Sequence, residues 1–187
     1  MDQTLGGGWP DSSPLVRREL GAFLATAAEI DPTLPTRCRP WTAADVTTHV
    51  GESFARFTRM LEQGRRGDLT PPFAKEEMDA ENLRAVVAFD GDPVRHLESS
   101  VNAFLRLVDD PDEIMPHQRG PIPVGLQLQF GLGDLAVHHD DIAVAAGSSY
   151  TPEQDVVDML VDGYRRLGSW GPVDEPVWEL FVEGRGE

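Results

Sequence analysis

The sequence predicts an all-α protein: a four-helix bundle core joined by long connections, with an additional C-terminal helix and tail. Three observations carry this. Apolar residues recur at helical spacing over four long stretches. The 15 Pro and 18 Gly cluster between those stretches, as punctuation. No segment sustains the period-2 alternation of a half-buried strand.

Residues 1–12, MDQTLGGGWPDS, read as a flexible N-terminal segment, and 13–187 as one domain. A first helix is expected from Pro14 to Ile30, with Leu15, Leu20, Phe23, Leu24 and Ala27 on one stripe and Ser13 as its cap. DPTLPTRCRP is a Pro-rich connection. A second helix follows in WTAADVTTHVGESFARFTRMLEQG, where Thr42 and Asp45 form a capping box and Gly64 and Gly67 end the element. Its buried face carries Val46, His49, Val50, Phe54, Phe57 and Leu61. Residues 65–89 are ambiguous: Pro71, Pro72 and Phe73 mark a loop, and KEEMDAENLRAVVAF suits a short helix. DPVRHLESSVNAFLRLVDD gives a third long helix, with Val94, Leu97, Val101, Phe104, Leu105 and Val108 inward. After PDEIMPHQRGPIP, a fourth runs from Val124 to Ala146, with Leu128, Leu132, Leu135, Ile142 and Ala145 inward, and stops at Gly147. TPEQDVVDMLVDGYRRLG forms a further helix. In the tail, Trp170, Trp178, Leu180 and Phe181 are expected to pack on the bundle.

Composition excludes several classes of function. There are 32 acidic and 16 basic residues, a net charge of −16, with no basic stripe, so nucleic acid is not an expected partner. The single cysteine, Cys38, excludes an internal disulfide and a cysteine-rich zinc site. No membrane span, secretory leader, internal repeat or Gly-rich nucleotide motif is visible. The expected location is cytoplasmic, and the expected assembly a monomer or homodimer.

Among five histidines, two carry a chemical pattern. Asp134 and His138 stand four apart in GDLAVHHDDIA, one above the other on a helix face. His49 lies on or beside the apolar stripe of the second helix. Two imidazoles and a carboxylate suit a divalent transition metal and leave coordination positions open. Each residue alone has a plainer reading, a core histidine or a surface pair. Arg56 and Gln127 lie seven residues from His49 and Asp134 and share their faces, so they are candidates for cofactor binding in a pocket. His139 points about 100° from His138 and reads as outward-facing or supporting. His96 and His117 are expected to face solvent.

Two segments resemble a known family. TRCRPWTAADVTTHV is similar to the run that precedes the metal-bearing helix in the DinB-like / mycothiol-dependent maleylpyruvate isomerase superfamily, where a Cys-Pro-Gly-Trp-Thr-like run leads to a ligand histidine. GPIPVGLQLQFGLGDLAVHHDDIAVAAG resembles its second signature, carboxylate-x-x-x-His-Gly-Trp-Asp-Leu-Ala. The tail LFVEGRGE is similar to the family's closing stretch. The resemblance covers residues 13–187. Asp134 stands where the family usually has Glu, His139-Asp140 replaces Gly-Trp, and Arg39-Pro40 replaces Pro-Gly.

The resemblance implies a DinB-like bundle with a divalent metal, zinc first, held by His49, Asp134 and His138. Asp141 matches the family Asp; it either hydrogen-bonds and orients a ligand imidazole or makes an intrahelical or capping contact. Arg37 and Arg39 would acidify the Cys38 thiol, yet the family position is not catalytic, so a structural role is expected. The implied function is a metal- and thiol-dependent enzyme that acts on a small electrophilic substrate, as an isomerase or thiol S-transferase, with mycothiol as the small thiol. Two alternatives stand beside it: a non-catalytic small-molecule binding or resistance protein on the same bundle, and a metal-dependent hydrolase.

Overall fold

The computed structural model describes residues 8–166. These are mostly helical, with six α-helices and one two-stranded ribbon. The tail residues Trp170, Trp178, Leu180 and Phe181 lie outside the described residues.

Helix α1 spans Ser13–Glu29 and buries Val16, Leu20 and Phe23. Its start differs from the expected one. Ser13 is the first helical residue, and its N–H donates to the Asp11 carboxylate at 2.9 Å. Upstream, the Trp9 side chain is buried, and the Gly8 and Trp9 N–H groups donate to Asp112. An aromatic ring and two charge-assisted bonds anchor these residues, which composition alone marks as loose.

Helix α2 spans Ala43–Arg65. The capping box forms as its sequence predicts: the Asp45 N–H donates to Thr42 Oγ1 at 3.3 Å, and the Thr42 N–H to Asp45 Oδ2 at 2.9 Å. The connection before it is tied down, because the Thr36 and Ala43 N–H groups donate to Trp41 O and Leu34 O at 3.0 and 2.9 Å. That connection carries Arg37, Cys38 and Trp41.

The ambiguous stretch resolves into a short 3-10 turn and helix α3, Met78–Ala88, of which only Val86 is buried. Helix α4, Pro93–Leu107, is capped by Asp92, which accepts from the Val94 and Arg95 N–H groups at 3.0 and 3.2 Å. The strands β1 (Ile114–Met115) and β2 (Ile122–Pro123) pair antiparallel. At two residues each they are too short to leave a periodic signal. Helix α5 spans Val124–Ala145, ahead of Gly147 at φ +77, and is buried around most of its circumference. Helix α6, Gln154–Arg166, begins three residues after Thr151, later than expected.

Helices α1, α2, α4 and α5 supply most of the core, and α6 adds Val156, Val157, Leu160 and Val161. Helix α2 packs chiefly on α4, α1 on α5, and α2 on α5; α6 packs on α5. Phe54, Phe57 and Phe104 meet edge-to-face with centroids 5.2–6.0 Å apart. Gly131 lets α5 approach this cluster, since a Cβ there would stand 2.7 Å from Phe54 Cζ. The α2 stripe that buries Val46, Val50 and Phe54 holds His49 against α5. Among the described residues, no helix is long and apolar enough to cross a membrane.

Candidate metal centre

The close α2–α5 contact brings His49 and His138 together. Their rings lie 5.1 Å apart, nearly perpendicular, and Trp41 covers the other side of His49 at 4.8 Å. His49 is buried, and its Nδ1 has no hydrogen-bond partner. Burial, and then the charges of His138 and Arg56, hold its imidazole well below the usual histidine range. It is therefore neutral at pH 7, the form that ligates a metal.

His49, Asp134 and His138 line one cavity of about 460 Å³. Asp134 sits one turn before His138 on α5. Burial raises its carboxyl above the ordinary aspartate range, while His138, Arg56 and a hydrogen bond with Ser53 pull it back. A bound cation would stabilise the charged form of such a carboxylate.

His138 faces both ways. Its Nδ1 lies 2.9 Å from Asp141 Oδ2. With its proton on Nδ1, the ring donates to Asp141 and leaves Nε2 with its lone pair, the arrangement of a metal-ligating histidine backed by a carboxylate. Arg37 donates to the other Asp141 oxygen at 3.1 Å and also pairs with Asp140. Asp141 is 2% exposed on its side chain, and Arg37 is 42% exposed, so the pair links a buried carboxylate to the surface.

Sequence reasoning kept Cys38 apart from the site. The structure places its thiol 3.0 Å from Asp141 Oδ2 and 3.8 Å from His138 Nδ1. Among the described residues, Cys38, His138 and Asp141 are the metal-ligand types whose donor atoms gather within 4.8 Å. His49 and Asp134 share the cavity with His138 but stand outside that close cluster. The pairing of residue 38 with residue 141 comes from a loop folding over α5, which helical periodicity does not report.

Arg56 and Gln127 both line the cavity. Arg56 donates to Asn82 Oδ1 at 2.7 Å and lies 5.2 Å over the Phe73 ring. Gln127 is 1% exposed, and its Oε1 is unpartnered. Three histidines differ from expectation. His117 is 8% exposed; it lines the cavity, stacks on Phe130 at 5.6 Å, and is held down to about 4 by burial and then by Arg119. His139 is buried between α1 and α5, bonded to Thr26 Oγ1 at 2.7 Å and stacked on Tyr150 at 3.7 Å. His96 is half-buried, 2.9 Å from Glu52. Their neighbours come from other elements, so no local pattern announces the burial.

Residues 14–143 match the mycothiol maleylpyruvate isomerase N-terminal domain. The chain belongs to that family. The match runs from α1 almost to the end of α5 and takes in Cys38, His49, Asp134, His138 and Asp141. The family is DinB-like, of a kind that typically binds metal. No curated protein and no solved structure matches the chain significantly.

Proposed function

We propose that this member of the mycothiol maleylpyruvate isomerase family holds a divalent metal, zinc first, on His49, Asp134 and His138. Helices α1, α2, α4 and α5 serve as its DinB-like four-helix bundle. The observation that carries the reading is the buried, neutral His49, with a partnerless Nδ1 and its ring 5.1 Å from that of His138, in a cavity that Asp134 also lines. The donor set fits a borderline-soft ion and leaves positions open. The Asp141 bond fixes the His138 ring and directs its free nitrogen.

The activity proposed is mycothiol-dependent chemistry on a small electrophile, either isomerisation or thiol transfer. The metal supplies acidification of a thiol at neutral pH. The chain's own residues do the rest. Arg56, held by Asn82 over the Phe73 ring, presents a fixed cation to the substrate. Gln127, with its free carbonyl oxygen, accepts a hydrogen bond from the substrate or thiol. Phe57, Phe130 and Val137 give the cavity apolar wall, which limits water near the reacting thiol. The thiol comes from outside, because the one cysteine is engaged with Asp141.

The test pairs metal analysis of untagged protein with turnover of an electrophile under three conditions: no thiol, mycothiol and glutathione. One metal per chain and turnover only with mycothiol support the reading. Full turnover without thiol replaces it with metal-dependent hydrolysis. Stoichiometric metal without turnover under any condition leaves a small-molecule binding protein.

A further inference from the structure

We propose that Cys38, His138 and Asp141 form a second, thiolate-bearing metal site for soft divalent ions such as cadmium or zinc, and that filling it withdraws His138 from the cavity. The second half rests on the reading of the cavity as a metal centre; the first half does not.

Cys38 Sγ, His138 Nδ1 and Asp141 Oδ2 form a triangle with sides of 3.8, 2.9 and 3.0 Å. An ion bound tetrahedrally at about 2.0–2.3 Å from each donor needs donor separations of about 3.3–3.6 Å. Small side-chain movements meet that need. The supporting contacts are also in place. Arg37 occupies Asp141 Oδ1, so Oδ2 is the oxygen left to ligate. The Cys38 N–H donates to Thr36 Oγ1 at 3.2 Å, and Thr36 Oγ1 donates to Trp41 O at 2.8 Å, which fixes the loop that carries the thiol. A separate cavity of about 330 Å³, lined by Cys38, Trp41 and Leu83, gives the ion a route from solvent.

In the metal-free state the Cys38 S–H donates to Asp141 Oδ2, and with the Nδ1–H tautomer His138 donates to the same oxygen. On binding, Cys38 releases its proton to solvent as the S–metal bond forms. The His138 proton leaves Nδ1 and reappears on Nε2, so the ring stays neutral. Asp141 stays ionised. The net release is about one proton per ion. A neutral imidazole has one lone pair, so a His138 that ligates through Nδ1 presents N–H at Nε2. The two sites therefore exclude each other, and a thiophilic metal becomes an inhibitor that acts beside the cavity rather than in it.

The experiment titrates the full chain with Cd²⁺ and follows the near-ultraviolet thiolate-to-metal charge-transfer band, with calorimetry for stoichiometry. Helical circular dichroism checks that each variant folds. Wild type and His49→Ala should show the same saturating band. Cys38→Ser should show none, and Asp141→Asn should weaken binding by more than about tenfold. A band unchanged in Asp141→Asn and His138→Ala would mean that the thiol acts alone and overturns the site, as would no band in wild type. Exclusion predicts one tight ion per chain in wild type, and one in Cys38→Ser without the band. Two tight ions with the full band overturn exclusion. A Cys38→Ser variant that binds none, beside a normal wild-type band, overturns the cavity reading and leaves the thiolate site standing.

Discussion

Replacing His117 with Asn should flatten the acid limb of the protein's stability curve. His117 is buried, stacked on Phe130, and accepts the Arg119 N–H at Nδ1, 3.2 Å away. Protonation would break that bond, charge a buried ring and face Arg119. These effects hold the folded-state value at about 4, against 6.5 for a free imidazole. The unfolded chain therefore binds the extra proton first, and stability falls as pH drops through the window from 6.5 to 4. Integrating the linkage gives a loss from this residue of about 2 kcal/mol between pH 7 and 5, and about 3 kcal/mol by pH 4. That is a large share of the roughly 5–15 kcal/mol typical of a domain. Asn suits the comparison because its Oδ1 can take the place of Nδ1 as acceptor and does not titrate. Other groups titrate in the same range, and burial of Glu19 acts in the opposite direction. The difference between wild type and variant cancels them. Urea unfolding of both proteins at pH 7, 6, 5 and 4, followed by circular dichroism, gives that difference. Parallel stability curves would refute the assignment of the proton to His117.

Three more outcomes are expected. Gly131→Ala should cost about 1–3 kcal/mol in urea unfolding, because its Cβ would stand 2.7 Å from Phe54 Cζ in a packed core. Thr42→Ala should cost about 1 kcal/mol in urea unfolding through the lost capping box, with little change in metal content since the residue does not line the cavity. In a Cys38→Ser background, which removes the thiolate site, His49→Ala and His138→Ala should each lower the metal bound per chain, measured by elemental analysis, while the helical circular dichroism stays near that of wild type; full retention in both would reject the cavity centre.

The long helices were legible because each carries its own evidence. The Thr42–Asp45 box and the stripe of Val46, Val50 and Phe54 lie within one stretch of chain, and the structure repeats them. The family resemblance was legible for a similar reason, since Asp134 and His138 sit one helical turn apart. What sequence reasoning missed depends on partners far along the chain. Cys38 meets Asp141 across 103 residues, and His139 meets Thr26 across 113. His117 is buried because a loop folds it onto Phe130 of α5. None of these contacts has a periodicity, so composition made each histidine look like a surface residue. The Trp9 anchor was hidden in the same way, because its partner Asp112 lies in another connection.

The arrangement of α5 would let His138 serve both proposed sites. At about 100° per residue, Asp134, His138 and Asp141 fall within about 60° of one another on a single stripe. His138 thus has one carboxylate a turn before it, on the cavity side, and another a turn after it, under the Arg37–Cys38 loop. An imidazole has two nitrogens and, when neutral, one lone pair. The carboxylate that accepts its proton decides which way that lone pair points. Arg37 holds the Asp141 carboxylate in place, and a carboxylate beside Nδ1 favours the tautomer with the proton on Nδ1 and the lone pair on Nε2. Weakening the Arg37 pair should then loosen the tautomer before it loosens the fold, since Arg37 is a partly exposed residue outside the apolar core. The loop before α2 thus bears on both histidines, on His138 through Arg37 and Asp141 and on His49 through Trp41.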